Sequence, residues 1–249
     1  MKRKVVLITG AANGIGKAIA LELAKNNYDI VINYFSSEKK AQELKQDIIE
    51  KYHVNCLAIK TDVSKEDEVD KMVSEVEEKL GGVDILINNA AVDLSNLFNL
   101  KNADEFRRTL DVNVIGVYNC SKRVSKYMLD NKYGRIINIS STNGINTYYP
   151  MCIDYDASKA ALNSLTHNLA LQYSPYINVN AIAPGFIGTE NELKNYDVEF
   201  LQEEVDKILV KRYGEPEEVA HLVKFLISDE ANYINNTIIR IDGGQKGSC

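Results

Sequence analysis

Cysteine, histidine and proline are scarce in this chain and tryptophan is absent: there are 4 Cys, 3 His and 4 Pro among 249 residues. The cysteines, at Cys56, Cys120, Cys152 and Cys249, form no C-x-x-C pair, and the cysteines and histidines do not cluster into a four-ligand pattern. This argues against a disulfide framework and against a zinc site, and it is typical of a reducing compartment. We therefore expect a cytoplasmic protein with no metal ligands.

Long apolar runs and concentrated positive charge are also missing. No stretch approaches the roughly 18 consecutive apolar residues of a membrane span, so no membrane partner is expected. The net charge is −6 with no basic cluster, which argues against nucleic acid. The apolar run Val5–Ile8 stops at Thr9-Gly10, too early for a signal peptide, and predicts a first β-strand instead.

Short apolar runs alternate with amphipathic stretches along the whole chain. In one such stretch Val69, Met72, Val73 and Val76 share a helix face. Continuous apolar runs are typical of parallel strands covered on both faces. The pattern predicts an α/β fold of the Rossmann type, a doubly wound parallel sheet of about seven strands in three αβα layers. The candidate strands are Val5–Ile8, Ile30–Asn33, Cys56–Ile59, Ile85–Ile87, Ile136–Ile139, Val179–Ile182 and Thr237–Ile241.

The length fits one α/β domain over residues 1–249, since such folds run to about 250 residues as a unit. No linker, repeat or low-complexity tract divides it. Residues 184–198 have neither a strand nor a helix pattern. A loop of that length in a compact domain is usually functional, and we expect it to cover a substrate.

A glycine-rich turn, Thr9–Gly16, follows the first strand and precedes a helical pattern. Glycines at such a turn let the backbone approach a pyrophosphate at the helix N-terminus. A P-loop needs four residues between its glycines and a hydroxyl residue after the lysine. Here five residues separate Gly10 from Gly16, and Ala18 follows Lys17. The turn therefore favours a dinucleotide over a nucleoside triphosphate.

Tyr155 and Lys159 are four residues apart, on one face of a helix predicted to begin near Asp154. A phenol has a pKa near 10, and a neighbouring ammonium draws that pKa toward neutrality. Ser141 follows the strand Ile136–Ile139, at the strand end where ligands bind in open α/β sheets. Its hydroxyl is placed to donate to a carbonyl oxygen that gains charge. These residues predict a centre for proton transfer.

Eight elements in order along the whole chain resemble the short-chain dehydrogenase/reductase family. They are Thr9–Gly16, Asp62-Val63, Asn88-Asn89-Ala90, Asn113, Ser141, Tyr155-x-x-x-Lys159, Pro184-Gly185 and Asp242-Gly243-Gly244. The resemblance implies an NAD(P)-dependent oxidoreductase that moves hydride between its cofactor and a small carbonyl or alcohol.

The resemblance also implies residue roles. Tyr155 would exchange the proton, Ser141 would orient the carbonyl, Lys159 would bind the nicotinamide ribose and lower the pKa of Tyr155, and Asn113 would hold a water in the proton relay. The implied cofactor-binding residues are Gly10, Asn13, Gly14, Ile15, Gly16, Asn33, Tyr34, Ser36, Asp62, Val63, Asn89, Ala90, Tyr155, Lys159, Pro184, Gly185, Ile187 and Thr189.

The chain departs from the family pattern near the catalytic residues. Ala91 stands where the family usually has glycine, which is tolerated if the backbone there has a negative φ. Ser141 and Tyr155 are 14 apart, one more than the family spacing, so we infer an insertion within residues 146–154. Ser140 remains the alternative hydroxyl.

Tyr155 also has a carboxylate on each side in the sequence, Asp154 and Asp156. Their charges would oppose formation of a phenolate if they pointed toward the phenol. Adjacent residues on a helix lie on different faces, so we expect both carboxylates to be largely solvated.

The segment after the second predicted strand bears on the choice of cofactor. An acid there would bind the ribose 2′-hydroxyl of NAD, but residues 33–37 read Asn-Tyr-Phe-Ser-Ser. Asn33, Ser36 and nearby lysines offer donors to a 2′-phosphate, although the segment has no arginine to bind it bidentately. NADP(H) is favoured, with NAD(H) as the alternative.

Within the family, Ala183–Ile187 and Asp242-Gly243-Gly244 resemble the 3-oxoacyl-carrier-protein reductases. Lys132 and Arg135 offer positive charge to an acidic carrier protein, but Ser174-Pro175-Tyr176 lacks a base that the group tends to carry. The substrate is thus a small carbonyl or alcohol, free or carrier-bound. A sugar or polyol dehydrogenase and a non-catalytic nucleotide sensor remain alternatives. The family habit implies a homotetramer, for which residues 114–127 offer an apolar helix face.

Overall fold

The computed structural model describes residues 2–195 and 197–246 of the chain. Cys249, one of the four cysteines considered above, lies outside them, as do Met1 and residue 196 of the predicted 184–198 loop. All seven predicted strands are present, each within two residues of its predicted ends. They are β1 Val5–Ile8, β2 Asp29–Tyr34, β3 Cys56–Lys60, β4 Ile85–Asn88, β5 Gly134–Ile139, β6 Ile177–Pro184 and β7 Ile238–Ile241.

The strands form one sheet in the order β3-β2-β1-β4-β5-β6-β7, and every neighbouring pair is parallel. In β1, Leu7 pairs with Val31 of β2 on one side and with Leu86 of β4 on the other. The strand order reverses at β1, so the carboxyl ends of β1 and β4 open a crevice between connections that run in opposite directions.

Helices cover both faces of the sheet, which confirms the predicted αβα layers. Their bounds are α1 Gly14–Lys25, α2 Glu38–Tyr52, α3 Glu66–Leu80, α4 Ala103–Leu110, α5 Gly116–Asp130, α6 Ile153–Tyr173, α7 Glu190–Asn195, α8 Val198–Lys207 and α9 Pro216–Ile227. A π-helical turn, Asp111–Ile115, joins α4 to α5. Among the described residues, no helix is both long and apolar enough to cross a membrane.

Alternate residues of β1 supply two separate cores. Val6 and Ile8 pack with α1, α2 and α9, whereas Val5 and Leu7 pack with α3, α5 and α6. Successive side chains of a strand point to opposite faces, so a strand covered on both faces needs apolar residues at every position. This explains why the sequence shows continuous apolar runs rather than alternation.

The segment 184–198 is more ordered than its sequence pattern indicates. It contains the whole of α7 and the first residue of α8, where a loop without helix was expected. Asp197 caps α8 by accepting a hydrogen bond from the backbone N–H of Phe200 at 2.8 Å. The helices lack a clear apolar stripe because they lie over the carboxyl edge of the sheet, where Leu193 is 36% and Val198 is 83% exposed.

A buried ion pair fixes the start of α6. Lys101 Nζ lies 2.6 Å from the carboxylate of Asp154, and their side chains are 3% and 0% exposed. Thr109 of α4 donates to the same carboxylate at 2.6 Å. The expectation that Asp154 is solvated is therefore wrong: this face of the first turn of α6 packs against α4. Asp156 is only half-buried.

Replacing Asp154 by Asn should lower the free energy of unfolding by about 3 to 5 kcal/mol, because Lys101 would remain buried without its counter-charge. Urea denaturation measures this. Asp104→Asn is the matched control, since Asp104 pairs with Arg107 at an exposed site and should contribute at most about 1 kcal/mol. Equal effects of the two substitutions would show that the buried pair does not anchor α6.

Candidate active site

The structure brings Tyr155, Ser141 and Lys159 together at the carboxyl end of β5. Tyr155 and Lys159 lie in α6, and Ser141 follows β5 and lines the same cavity as Tyr155. Lys159 is 3% exposed, its Nζ donates to the backbone oxygen of Ile139 at 2.8 Å, and it lies 5.3 Å from the centroid of the Tyr155 ring. One hydroxyl, one phenol and one amine thus share a single site.

Ser140 and Ser141 face different surroundings. Ser140 is buried and donates to Asn163 Oδ1 at 2.6 Å, whereas Ser141 lines the cavity beside Tyr155. Consecutive residues in extended backbone point in opposite directions, so only one of the two can reach the phenol. Ser141 and Tyr155 are 14 positions apart in the sequence and still line one cavity.

The electrostatic surroundings keep Tyr155 protonated. Burial raises its pKa above the usual value, and the carboxylates of Asp93 and Glu192 raise the pKa further, while the nearby hydroxyl of Ser141 opposes them. Burial also lowers the pKa of Lys159 to about 8. At neutral pH the chain's own groups therefore hold Tyr155 as a neutral phenol, which is a proton donor.

Asn113 lies in the π-helical turn and joins two other segments. Its Oδ1 accepts from the backbone N–H of Val92 at 2.8 Å, and its Nδ2 donates to the backbone oxygen of Val92 at 2.9 Å and to Ser158 Oγ at 3.0 Å. Both amide hydrogens are thus used within the protein. The side chain ties the segment after β4 to the helix that carries Tyr155, which is a positioning task.

The turn after β1 is shaped for close approach by a ligand. Gly10 has φ +62°, and a Cβ at this position would lie 2.9 Å from the Cα of Ala90. Asn89 Nδ2 holds the turn by donating to the backbone oxygens of Thr9 and Gly10 at 2.9 and 3.1 Å. Asn89 therefore supports the turn. The backbone φ of Ala91 is not positive, so its methyl group is tolerated.

The N-terminus of α1 suits an anionic ligand. Its N-cap residue, Asn13, makes no side-chain capping bond and instead donates to Ser37 Oγ at 3.1 Å. The first backbone N–H groups of a helix have no intrahelical partners and attract negative charge. A dinucleotide pyrophosphate therefore fits the geometry and the donors of this turn.

Asn33 supports the glycine turn from β2. It is 2% exposed, accepts from the backbone N–H of Gly10 at 3.2 Å and donates to the backbone oxygen of Thr61 at 3.1 Å. Its side chain also lines the groove beside this turn, so the expected contact with a 2′-phosphate stays a prediction. Ser36 remains exposed at the mouth of the groove.

The other expected cofactor residues fall into two groups. A groove beside the glycine turn is lined by Gly10, Asn13, Tyr34, Ser36, Asp62, Val63, Asn89 and Ala90. Gly14, Ile15 and Gly16 begin α1, while Pro184, Gly185, Ile187 and Thr189 lie at and after the end of β6. Thr189 reaches the glycine turn, since a Cβ on Gly14 would lie 3.4 Å from its Cγ2. Both groups border the same crevice.

The sequence did not indicate Arg108, which α4 brings into the groove. Its Nη1 donates to Asp62 Oδ2 and to Ser64 Oγ, both at 3.0 Å. The only local signal is that Arg108 precedes Val112 by four residues and so shares its helix face. The contact depends on a fold that joins residues 46 positions apart.

A cavity of about 360 Å³ adjoins Tyr155 and Ser141. Its lining is mostly apolar, and its charged side chains are two acids, Asp93 and Glu192. Burial and the charge of Asp93 raise the pKa of Glu192. The remaining lining residues are Ser95, Asn143, Tyr149, Pro150, Met151, Cys152, Phe186 and Phe200. Apart from Phe186, which follows Pro184-Gly185, no motif pointed to them.

Comparison with known proteins agrees with this geometry. The family model described as enoyl-(acyl carrier protein) reductase matches residues 10–246. The 3-oxoacyl-[acyl-carrier-protein] reductase FabG of Staphylococcus epidermidis is 39% identical over 243 residues, covering 97% of this chain and 98% of that protein.

Two solved structures match the fold over nearly its full length. An acetoin dehydrogenase, YohF, from Salmonella typhimurium has a TM-score of 0.87 and 35% identity, covering 98% of this chain and 96% of that one. A 3-oxoacyl-[acyl-carrier protein] reductase from Brucella melitensis has a TM-score of 0.92 and 30% identity, covering 98% and 91%.

Proposed function

Because this chain belongs to the short-chain dehydrogenase/reductase family and is therefore an NAD(P)-dependent oxidoreductase, we propose that it reduces a small carbonyl compound to an alcohol with NADPH. The observation that carries this proposal is that Tyr155 and Ser141 lie together in the wall of one small cavity, with the amine of Lys159 5.3 Å from the centroid of the Tyr155 ring. A nicotinamide cofactor would supply the hydride.

The chain's own groups account for the proton and for the developing charge. Ser141 donates a hydrogen bond to the substrate oxygen, which gains negative charge as hydride reaches its carbon. Tyr155 then gives its proton to that oxygen, so the C=O group ends as CH–OH. The neutral phenol that burial and the nearby carboxylates favour is the form that this step needs.

Lys159 has two tasks in this proposal. Its bond to the backbone oxygen of Ile139 fixes the amine beneath Tyr155, and its other hydrogens remain to hold the ribose of the cofactor. Its positive charge stabilises the phenolate that Tyr155 becomes after giving up its proton. When the reaction runs as an oxidation, the positive nicotinamide adds to the same effect.

We propose a free small carbonyl substrate ahead of a carrier-bound one. The cavity is small and largely apolar, and a related fold belongs to an acetoin dehydrogenase. The basic surface expected for an acidic carrier is weaker than the sequence indicates, because Arg135 is 5% exposed and packs 4.9 Å over the ring of Tyr133. The relatives named as carrier-protein reductases keep the carrier-bound substrate as the second candidate.

A substrate panel separates these candidates. Purified protein should reduce small diketones with NADPH faster than it reduces a 3-oxoacyl-carrier thioester. Faster reduction of the carrier-bound substrate would make the second candidate correct. Oxidation of sugars or polyols alone would assign the chain to the alternative dehydrogenase class, and no turnover of any of them would contradict the proposal.

We also propose a homotetramer. Ile115 of the π-helical turn and Tyr118 of α5 lie inside the predicted 114–127 face and are 44% and 45% exposed. Leu129 lies fourteen residues after Ile115 on the same helix face, with Lys122 midway between them. Exposed apolar side chains grouped on one helix face are typical of contact surfaces between proteins.

Sedimentation velocity at micromolar concentration should give the mass of four chains. Ile115→Asp combined with Tyr118→Asp should give smaller species, because two charges would enter the contact. Tyr233→Asp is the control, since Tyr233 is fully exposed elsewhere. A monomer for the unsubstituted chain would contradict the proposal.

Tyr155→Phe should reduce turnover by at least about a thousandfold, because the substitution removes the proton donor and little else. Cofactor affinity, followed by the fluorescence of bound NADPH, should stay within about twofold. Retained turnover would show that another group supplies the proton.

Asp93→Asn should move the pH dependence of turnover to lower pH by about 0.5 to 1 unit. The negative charge of Asp93 raises the pKa of Tyr155, so its removal lowers that pKa. In reduction the protonated phenol is the active form, and activity would therefore fall at a lower pH than in the unsubstituted protein. Glu190→Gln is the control, because Glu190 lies on α7 but is exposed and pairs with Lys194. Identical profiles for both variants would contradict this account.

A further inference from the structure

Arg108 presents an incompletely used guanidinium to the cofactor groove. One nitrogen, Nη1, makes both of its described hydrogen bonds, to Asp62 Oδ2 and Ser64 Oγ. Within residues 2–195 and 197–246, no partner is found for Nε or Nη2. The side chain is 35% exposed and lines the groove, so the edge formed by Nε and Nη2, which has no described partner, is taken as its open edge.

The open edge has the geometry of a phosphate-binding fork. Nε and Nη2 present parallel N–H groups that match two oxygens of a phosphate, which is why arginine binds phosphates bidentately. The bonds of Nη1 hold the guanidinium in place, so little side-chain freedom remains to be lost on binding. The Asp62 carboxylate also accepts a hydrogen bond from Ser64 Oγ at 2.7 Å, so Arg108 is one of two side chains that bind it.

Arg108 lies beside the segment that follows β2. Its guanidinium carbon lies 5.6 Å from the centroid of the Phe35 ring, and Phe35 directly precedes Ser36 and Ser37. These residues line one groove with Arg108 and Asn13. In a dinucleotide fold, the segment after the second strand meets the ribose 2′ position. The groove there has hydroxyls and one arginine, and its only carboxylate, Asp62, is paired with that arginine.

We propose that Arg108 selects the cofactor: its Nε and Nη2 bind the 2′-phosphate of NADPH opposite the hydroxyl of Ser36. The segment after β2 has no arginine of its own. Arg108, which lies in α4 and follows Asp62 by 46 residues in the sequence, takes that place. The inference rests on the proposed use of NADPH and assigns the residue that distinguishes NADPH from NADH.

Direct binding tests this without any turnover. The probes are 2′,5′-ADP and ADP, which differ by the phosphate in question, followed by NADPH and NADH, all titrated calorimetrically. Arg108→Met should weaken 2′,5′-ADP and NADPH by about 10- to 100-fold, the usual worth of hydrogen bonds to a charged group. ADP and NADH should change by less than about threefold. Arg108→Lys, which keeps the charge but loses the fork, should fall between.

Two further variants separate selection of the cofactor from support of the glycine turn. Arg107→Met alters the adjacent exposed arginine, which pairs with Asp104, and should leave all four affinities unchanged. Asn33→Ala removes the support of Gly10 and should weaken all four ligands by a common factor. Circular dichroism melting confirms that each variant is folded.

The outcomes are distinct. If Arg108→Met weakens all four ligands equally, Arg108 only holds Asp62 and the inference is wrong. If it weakens none, the guanidinium does not touch the cofactor. If the unsubstituted protein binds ADP as tightly as 2′,5′-ADP, the proposed preference for NADPH over NADH is wrong, and so is the inference that rests on it. Failure of the reductase proposal appears separately, as binding of NADPH without reduction of any carbonyl.

Discussion

The position of β1 between β2 and β4 is the constraint on which the site depends. Parallel pairing on both sides sends the next connections in opposite directions, and a crevice opens at the carboxyl end of β1. The glycine turn begins in that crevice, Asn33 reaches it from β2 and Asn89 reaches it from the end of β4. A different strand order would leave each of these residues without its partner.

Buried polar side chains then hold the backbone around the crevice. Asn33 and Asn89 fix the glycine turn, Asn113 fixes the segment after β4, and Asp154 fixes the start of the helix that carries Tyr155. Each bond satisfies a group that would be costly to bury alone, and a side chain used this way is no longer available to a ligand. Asparagine or aspartate near an active site is therefore weak evidence of ligand binding.

The sequence predicts local features well and distant contacts poorly. Strands were predictable because both faces of the sheet are covered, and Tyr155 and Lys159 because their spacing of four is a property of one helix. The burial of Asp154 and the arrival of Arg108 depend on α4, whose packing no local pattern records. The short helix α7 was missed because it buries too little apolar surface to leave a stripe in the sequence.

The two halves of the crevice carry different charges, and this difference bears on the direction of the proposed reaction. The groove beside the glycine turn holds Arg108 together with its partner Asp62, whereas the cavity at Tyr155 holds two carboxylates, Asp93 and Glu192. The phosphate site proposed above lies at the first place, and a neutral phenol is favoured at the second, because both carboxylates oppose loss of its proton. NADPH carries the additional phosphate, and carbonyl reduction consumes a proton from a neutral donor. The same distribution of charge thus favours both the cofactor and the direction of the proposed reaction, and oxidation would have to work against it.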